Sequence, residues 1–105
     1  MGGLPDKCNL INLSEGIAEN WKSLNISQFN GNNVRLRVME DVTANWHAHD
    51  NSDELFYVIS GEVYIDSEAG AQALSANEIC IVPAKVRHRA RVEGRATLLI
   101  IDGIS

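Results

Sequence analysis

Apolar and polar residues alternate in short segments along most of this chain, and turn-forming residues separate the segments. The alternation has a period of two, which is typical of β-strands, and almost no stretch shows the period of an α-helix. The strands that it predicts after residue 44 are NWHAH, ELFYVIS, EVYID, AQAL, EICIVP, RHRARV and ATLLIID. This spacing predicts a compact all-β sandwich or barrel.

The N-terminal region contains the one helical segment that we predict. Ser14 is a plausible N-cap for a short helix over residues 15–21, although Gly16 weakens this interpretation. An extended segment that wraps around the domain is the alternative. Either arrangement leaves residues 1–22 outside the predicted barrel.

A hairpin is predicted directly after this segment. The run NGNN, residues 30–33, separates two stretches of alternating character, and Asn-Gly is favoured in tight turns. The second stretch is VRLRV. We therefore expect a single domain over residues 1–105, in which a barrel over residues 23–103 follows the N-terminal segment 1–22.

Composition narrows the class of protein. A hydrophobic share of 45% with 22% charged residues is ordinary for a globular protein, and no apolar run is long enough to span a bilayer. The N-terminus lacks the basic start and apolar stretch of a signal peptide, and the two cysteines suggest no disulfide framework. The net charge of -5 argues against nucleic acid as a partner. We expect a cytoplasmic protein without a nucleic-acid or membrane partner.

The alternation also predicts which side chains point inward. In RHRARV the three arginines share one face, so the other face must point into the core, and the same reasoning applies to ELFYVIS. The side chains assigned to the interior are Glu54, Phe56, Val58, His88, Ala90 and Val92. The outer face of ELFYVIS is apolar as well, so another sheet, the N-terminal segment or a second subunit must cover it. We expect a homodimer.

Three histidines and one glutamate suggest a metal site. His47 and His49 are two residues apart on a predicted strand, so both rings leave the same face. Glu54 follows after a short polar turn, and His88 points inward from another strand. Three imidazoles and one carboxylate can hold a divalent transition metal ion, either Fe, Mn, Ni, Cu or Zn, and in an octahedral complex they leave two positions open.

Simpler explanations exist for each of these residues alone. A single strand histidine is more often a surface or hydrogen-bonded core residue than a ligand. The chain has only three histidines, however, and pattern reasoning places all three with Glu54. A cysteine nucleophile is the other chemistry considered, but Cys80 alternates with Ile79 and Ile81 and is better explained as a buried thiol.

These residues resemble the cupin family. The first cupin motif has the form of Gly, five residues, His-x-His, three or four residues, Glu, six residues and Gly. This chain matches it at His47, His49, Glu54 and Gly61, and Asp41 replaces the first glycine.

The second motif has the form of Gly, five residues, Pro-x-Gly, two residues, His, three residues and Asn. The chain matches it at Pro83 and His88. Asn77 and Lys85 replace its two glycines and Val92 its asparagine. No metal ligand is lost through these departures, but they make the geometry of the turns near residues 77 and 85 an open question, because such turns favour a positive φ.

The resemblance covers roughly the whole chain and implies an all-β fold. The chain also resembles the small single-domain cupins often described as mannose-6-phosphate isomerase-like. The resemblance implies a jelly-roll β-barrel of six or more strands, here preceded by the short N-terminal helix or extended segment. The resemblance further implies a metal ion inside the barrel and dimerisation through outer strands.

Several functions are compatible with such a site. A metalloenzyme acting on a small molecule, by dioxygenase-like or Lewis-acid chemistry, is the first hypothesis, and a non-catalytic metal-dependent ligand-binding or sensing module is the alternative. A structural or storage role is a third, which the complete ligand set argues against.

The predicted lining of the cavity bears on this choice. Apart from the ligands it consists of Phe56, Val58, Ala90 and Val92, which provide no acid or base. A sugar-phosphate isomerase would need a cationic group inside, so that activity is less favoured. The orientation of Arg35 and Arg37 remains open, because a bulge in VRLRV would turn their side chains inward.

Overall fold

The computed structural model describes residues 6–103, and in this range it consists of antiparallel β-strands and one short helix. The elements are α1 (Leu10–Glu15), β1 (Trp21–Phe29), β2 (Asn32–Thr43), β3 (Glu54–Ser60), β4 (Val63–Ser67), β5 (Gly70–Leu74), β6 (Ile79–Val82) and β7 (His88–Gly103). The strands pair in the order β1-β2-β7-β3-β6, and β4 joins β5 to β7. The predicted all-β fold is confirmed. No helix within residues 6–103 combines the length and the apolar character needed to cross a membrane.

The helix lies earlier in the chain than the sequence pattern predicted. Asn9 is the N-cap, because its side-chain oxygen accepts a hydrogen bond from the backbone N–H of Asn12 at 2.9 Å. Gly16 is the C-cap and ends the helix. The prediction of a helix over residues 15–21 was therefore wrong, and Trp21 is instead the first residue of β1.

The hairpin predicted around NGNN is confirmed. It joins β1 to β2, with Phe29 paired to Asn32. Asn30 and Gly31 occupy the turn with φ values of 52° and 78°. Both are residues that adopt positive φ at low cost, which explains why the chain reverses here.

The longest strand, β7, organises the sheet. It combines the two predicted segments RHRARV and ATLLIID, and it pairs with β2, β3 and β4. Gly94 lies between the two segments with a φ of 76°, and its N–H donates to Asp41 Oδ1 at 2.7 Å. The pairing of β2 with β7 is irregular at Asp41, so both strands bend at the same level of the sheet.

Three motif positions that lack glycine still have the backbone conformation that glycine favours. Asp41, Asn77 and Lys85 have φ values of 50°, 69° and 72°. At Lys85 the strained turn is tied to the predicted ligand segment, because its N–H donates to the His49 carbonyl oxygen at 2.6 Å. The turn geometry implied by the family resemblance is therefore kept despite the substitutions.

The interior of the sheet is apolar away from the predicted ligands. Phe56 and Val58 from β3 contact the β7 residues Ala90 and Val92 in one buried cluster, and all four are almost fully buried. The ring of Phe56 also packs edge-on against His88, with centroids 5.8 Å apart. This cluster forms the floor beneath the histidines.

Two of the arginines of RHRARV lie on the outer face, as predicted, and have a carboxylate partner. Asp66 on β4 accepts hydrogen bonds from Arg89 Nε at 3.0 Å and from Arg91 Nε at 3.1 Å. The hydrogen bond from Arg91, followed by that from Arg89, outweighs the effect of burial and lowers the pKa of Asp66. The arginine-rich stretch is thus paired within the sheet.

Candidate metal centre

The four predicted ligands come from three parts of the chain. Glu54 is the first residue of β3 and His88 the first residue of β7. His47 and His49 lie in the segment between β2 and β3. The sequence predicted a strand at NWHAH, and this prediction was wrong, because the segment is not a strand. The segment contains an isolated bridge, in which the backbones of His47 and His88 exchange two hydrogen bonds of 2.9 Å. That bridge places the two ligand-bearing segments side by side.

All three imidazoles converge on one carboxylate oxygen. The Nε2 atoms of His47, His49 and His88 lie 3.3, 3.2 and 2.7 Å from Glu54 Oε1. Glu54 and His88 are buried, with side-chain exposures of 3% and 1%, whereas His47 is 39% exposed. The site therefore has a buried side on the strands and an open side at residues 47–49.

The protonation of the rings follows from their other nitrogens. His47 Nδ1 lies 3.1 Å from the Asn45 carbonyl oxygen, and His88 Nδ1 lies 2.9 Å from that of Val86. Because a carbonyl oxygen can only accept, each Nδ1 must be the donor. In the neutral tautomer each Nε2 then presents a lone pair to the Glu54 carboxylate. Two acceptors at this distance require a cation between them, either a proton or a metal ion.

The spacing of the donor atoms suits a transition metal. His47, His49 and Glu54 each offer a ligand atom within 4.8 Å of one another. Two ligands at right angles, each about 2.1 Å from an ion, are about 3 Å apart. The three Nε2 to Oε1 distances lie on either side of that value. His47, His49 and Glu54 therefore fit a metal ion, and His88 Nε2, 2.7 Å from the same carboxylate oxygen, lies beside them as the fourth candidate ligand.

The neighbouring histidines favour the ionised form of the Glu54 carboxylate. Burial alone would raise the pKa of Glu54, but the hydrogen bond and charge of His88, with the charges of the other two histidines, lower it to about 2. Burial would lower the pKa of His88, but the hydrogen bonds to Glu54 and to the Val86 carbonyl raise it. Glu54 is thus an anion throughout the physiological range, as a metal ligand must be.

Asp102 is a further acidic residue at the site, which the sequence pattern did not reveal. Its Oδ2 lies 3.7 Å from His49 Nε2 and forms an ion pair with Arg35 Nη2. Burial, only partly offset by the charge of Arg35, raises the pKa of Asp102. The signal was available in ATLLIID, because Asp102 has the same parity as the buried residues Leu98 and Ile100.

A cavity of about 370 Å³ opens beside the candidate ligands. Its lining residues are Trp21, Arg35, Arg37, Thr43, Ala44, Asn45, His47, His49, Glu54 and Asp102. The predicted apolar lining by Phe56, Val58, Ala90 and Val92 does not describe this cavity. Those side chains belong to the apolar core instead, where residues from facing strands pack against one another.

The two arginines of VRLRV face this cavity, which answers the question that the sequence left open. Arg35 pairs with Ile100 and Arg37 with Leu98 in the register of β2 and β7. Paired residues share a face of the sheet, and the two β7 residues are buried on the inner face. The opposite face of β2 carries Leu36, which is fully buried.

Comparison with known proteins agrees with this fold and site. Residues 34–102 match the family model described as Cupin domain. The chain is 34% identical over 95 residues to the uncharacterized protein YdbB of Bacillus subtilis (strain 168), covering 90% of this chain and 83% of the relative. The chain therefore belongs to the cupin family.

Solved structures show the same fold. A cupin-2 domain containing protein from Shewanella frigidimarina superposes with a TM-score of 0.83 at 24% identity, covering 90% of this chain and 91% of the other. A cupin superfamily protein from Desulfitobacterium hafniense gives a TM-score of 0.80 at 23% identity, covering 97% and 95%. At these identities the likeness supports the small cupin fold, and the chemistry must be argued from the site itself.

Proposed function

We propose that this cupin is a metal-dependent enzyme that acts on a small molecule in the cavity beside His47, His49, Glu54 and His88. The observation that carries the proposal is the convergence of three Nε2 atoms on one buried carboxylate oxygen. The proposed cofactor is one divalent transition metal ion, either Fe, Mn, Ni, Cu or Zn. When bound, such an ion supplies Lewis acidity toward a substrate oxygen or, in the case of iron, reactivity with dioxygen.

The residues of the chain have distinct roles in this proposal. Glu54 and His88 begin paired strands and are buried, so they fix the donor atoms at the closed side of the site. His47 and His49 come from the open segment and border the cavity. The hydrogen bond from His88 Nδ1 to the Val86 carbonyl oxygen leaves the lone pair of Nε2 available to bind the ion.

One observation keeps a non-catalytic module as the second candidate. Among the residues that line this cavity, Glu54 is a proposed ligand and Asp102 is paired with Arg35. The lining therefore offers no unpaired carboxylate as a general acid or base. Either the ion supplies the chemistry, or the site binds a ligand without changing it.

The two candidates are separated by measuring metal, binding and product in the same preparation. Protein purified without a metal-binding tag is analysed for bound elements, loaded with each candidate ion, and assayed for oxygen uptake and for product formation. An enzyme is expected to lose turnover in Glu54→Gln together with bound metal. Ligand binding without product, with every ion tested, would assign the binding module instead.

We also propose that the protein forms a homodimer through the outer face of β3 and β6. Ile79 and Ile81 on the terminal strand β6 are 56% and 54% exposed, and Ile81 pairs with Leu55 on β3. Exposed apolar side chains in a row favour a protein partner. Sedimentation analysis of Ile81→Lys tests this proposal: the variant is expected to be monomeric, and an unchanged dimer would refute the assignment of this face.

A cytoplasmic location, without a nucleic-acid or membrane partner, completes the proposal. It is supported by the net charge of -5, since nucleic acids and anionic membrane surfaces attract basic proteins. Fractionation of cells that express the protein would test it.

A further inference from the structure

Within residues 6–103, the cavity contains one cationic side chain that has neither a direct ion pair nor a hydrogen bond to its buried Nε. Arg37 faces the cavity from β2, and its Nε is buried without a hydrogen-bond partner among residues 6–103. No carboxylate in that part of the chain forms an ion pair with it; Asp102 pairs with Arg35 instead. A partly buried guanidinium N–H without an acceptor is costly, because it has lost its hydrogen bonds to water and gained none in exchange.

The orientation of Arg37 is fixed by an aromatic neighbour. Its guanidinium carbon lies 4.6 Å from the centroid of the Trp21 ring. This stacking uses one face of the guanidinium and leaves the N–H groups at its edge available for hydrogen bonds. Trp21 and Arg37 both line the cavity, so the stacked pair borders the space where a ligand would sit.

The formal charges around the cavity favour an anion. The two carboxylates, Glu54 and Asp102, offset the two guanidinium groups of Arg35 and Arg37. The histidines are neutral when they bind a metal ion, so the charge of the ion would remain uncompensated. A neutral ligand would leave that charge in place, whereas an anionic ligand would compensate it.

We propose that the cavity selects small molecules that carry a carboxylate, which Arg37 binds through two parallel N–H to oxygen hydrogen bonds. The proposal rests on the proposed metal-dependent function and names its substrate class. One free guanidinium matches the single charge and the two oxygens of a carboxylate, whereas a phosphate dianion would need a further donor. The cavity volume of about 370 Å³ is near the lower end for ligand sites, which restricts the substrate to a small molecule.

The test compares two probes that differ at one group. Lactate carries a carboxylate where propane-1,2-diol carries a neutral alcohol, and both have the neighbouring hydroxyl. Binding to manganese-loaded protein is measured by titration calorimetry and by intrinsic tryptophan fluorescence, to which Trp21 and Trp46 both contribute, with inorganic phosphate as a third probe. The wild-type protein is expected to bind lactate at least about tenfold more tightly than the diol or phosphate, because charge-assisted hydrogen bonds exceed neutral ones.

Variants of Arg37 separate this subsite from the metal centre. Arg37→Gln is expected to lose the preference for lactate and to keep its bound manganese, whereas Arg37→Lys should keep part of the preference. The matched control is Arg87→Gln, since Arg87 is exposed and does not line the cavity. Thermal melts of each variant show whether it is folded. If Arg37→Gln is unfolded, the comparison rests on Arg37→Lys, which retains the charge but not the two-pronged geometry.

The outcomes distinguish the two proposals. Equal binding of lactate and the diol by the wild-type protein, a preference for phosphate, or an unchanged lactate preference in the Arg37 variants would overturn the carboxylate assignment while metal content stays intact. A lactate preference that depends on Arg37 in protein unable to bind any metal would support the subsite and overturn the metal-dependent function.

Discussion

Removal of His47 is the sharpest test of the metal centre. His47 supplies one of the four converging donor atoms, yet its side chain is 39% exposed and lies in a segment outside the strands. Replacement by alanine should therefore disturb little of the packing. His88 is 1% exposed and packs against Phe56, so its removal would confound loss of a ligand with loss of core contacts.

The expected magnitude follows from linkage between binding and folding. At a metal concentration of about 100 times Kd, binding stabilises the native protein by about 2.7 kcal/mol. For a domain of this size that corresponds to a rise in Tm of roughly 10 to 20 °C. Mutations of groups that merely orient a ligand weaken metal affinity by about 10- to 100-fold, so loss of a ligand should cost at least about 100-fold. His47→Ala would then gain only about 0.4 kcal/mol, or roughly 2 to 3 °C, at the same metal concentration.

The assay is a pair of thermal melts, with and without added metal, combined with elemental analysis. Asp50→Ala is the matched control, because Asp50 is exposed in the same segment and does not belong to the converging group. The control should keep the full metal-dependent rise in Tm. Stoichiometric metal in His47→Ala would refute the assignment of this ligand. A wild-type protein that unfolds when metal is removed would show instead that the ion is structural.

Three further predictions concern the fold. Lys85→Gly should stabilise the protein by about 1 kcal/mol in urea denaturation, because a φ of 72° strains lysine but not glycine; an unchanged midpoint would count against that strain. Gly61→Ala should destabilise by more than about 2 kcal/mol, since its Cβ would collide with the Arg95 carbonyl oxygen and lie 2.8 Å from Ala96 Cα. Gly31→Ala, with open space around it, should lose less, and equal losses would contradict this account. The hydrogen bond from Arg91 is the largest cause of the lowered pKa of Asp66. The charged carboxylate of Asp66 therefore stabilises the native state at pH values above its ordinary pKa of 3.8, and this stabilisation is lost as the pH falls from 3.8 through the lowered pKa of the native state. The difference in unfolding free energy between wild type and Asp66→Asn should therefore shrink between pH 7 and pH 3, and a constant difference would contradict the pairing.

Much of the site was predictable because its residues follow local rules. Period-two alternation identified the inner faces of β3 and of the first half of β7, and so placed Glu54 and His88 on them. The spacing of His47 and His49 placed their two rings together, and the family motif agreed with that choice. The structure brings these four residues together although the segment around His47 is not a strand, because backbone hydrogen bonds to His88 and Lys85 hold that segment in position.

The N-terminal helix was misplaced for an equally local reason. Both Asn9 and Ser14 are residues that favour the N-cap position. The sequence pattern favoured Ser14, but Gly16 ends the helix two residues later, and the apolar residues after it extend as β1. Propensity alone does not decide between two adequate caps, because strand pairing with β2 determines where the extended chain begins.

The sequence by itself determined the all-β fold, the hairpin at Asn30 and Gly31, and the choice of the four candidate ligands. Only the tertiary structure decided the character of the cavity. VRLRV has apolar and cationic residues in strict alternation, and the sequence left its orientation open, because a bulge would turn the arginines inward. Pairing with β7 resolves this choice and places Arg35 and Arg37 beside the metal centre, because a residue shares its face of the sheet with the residue to which it is paired across the strands.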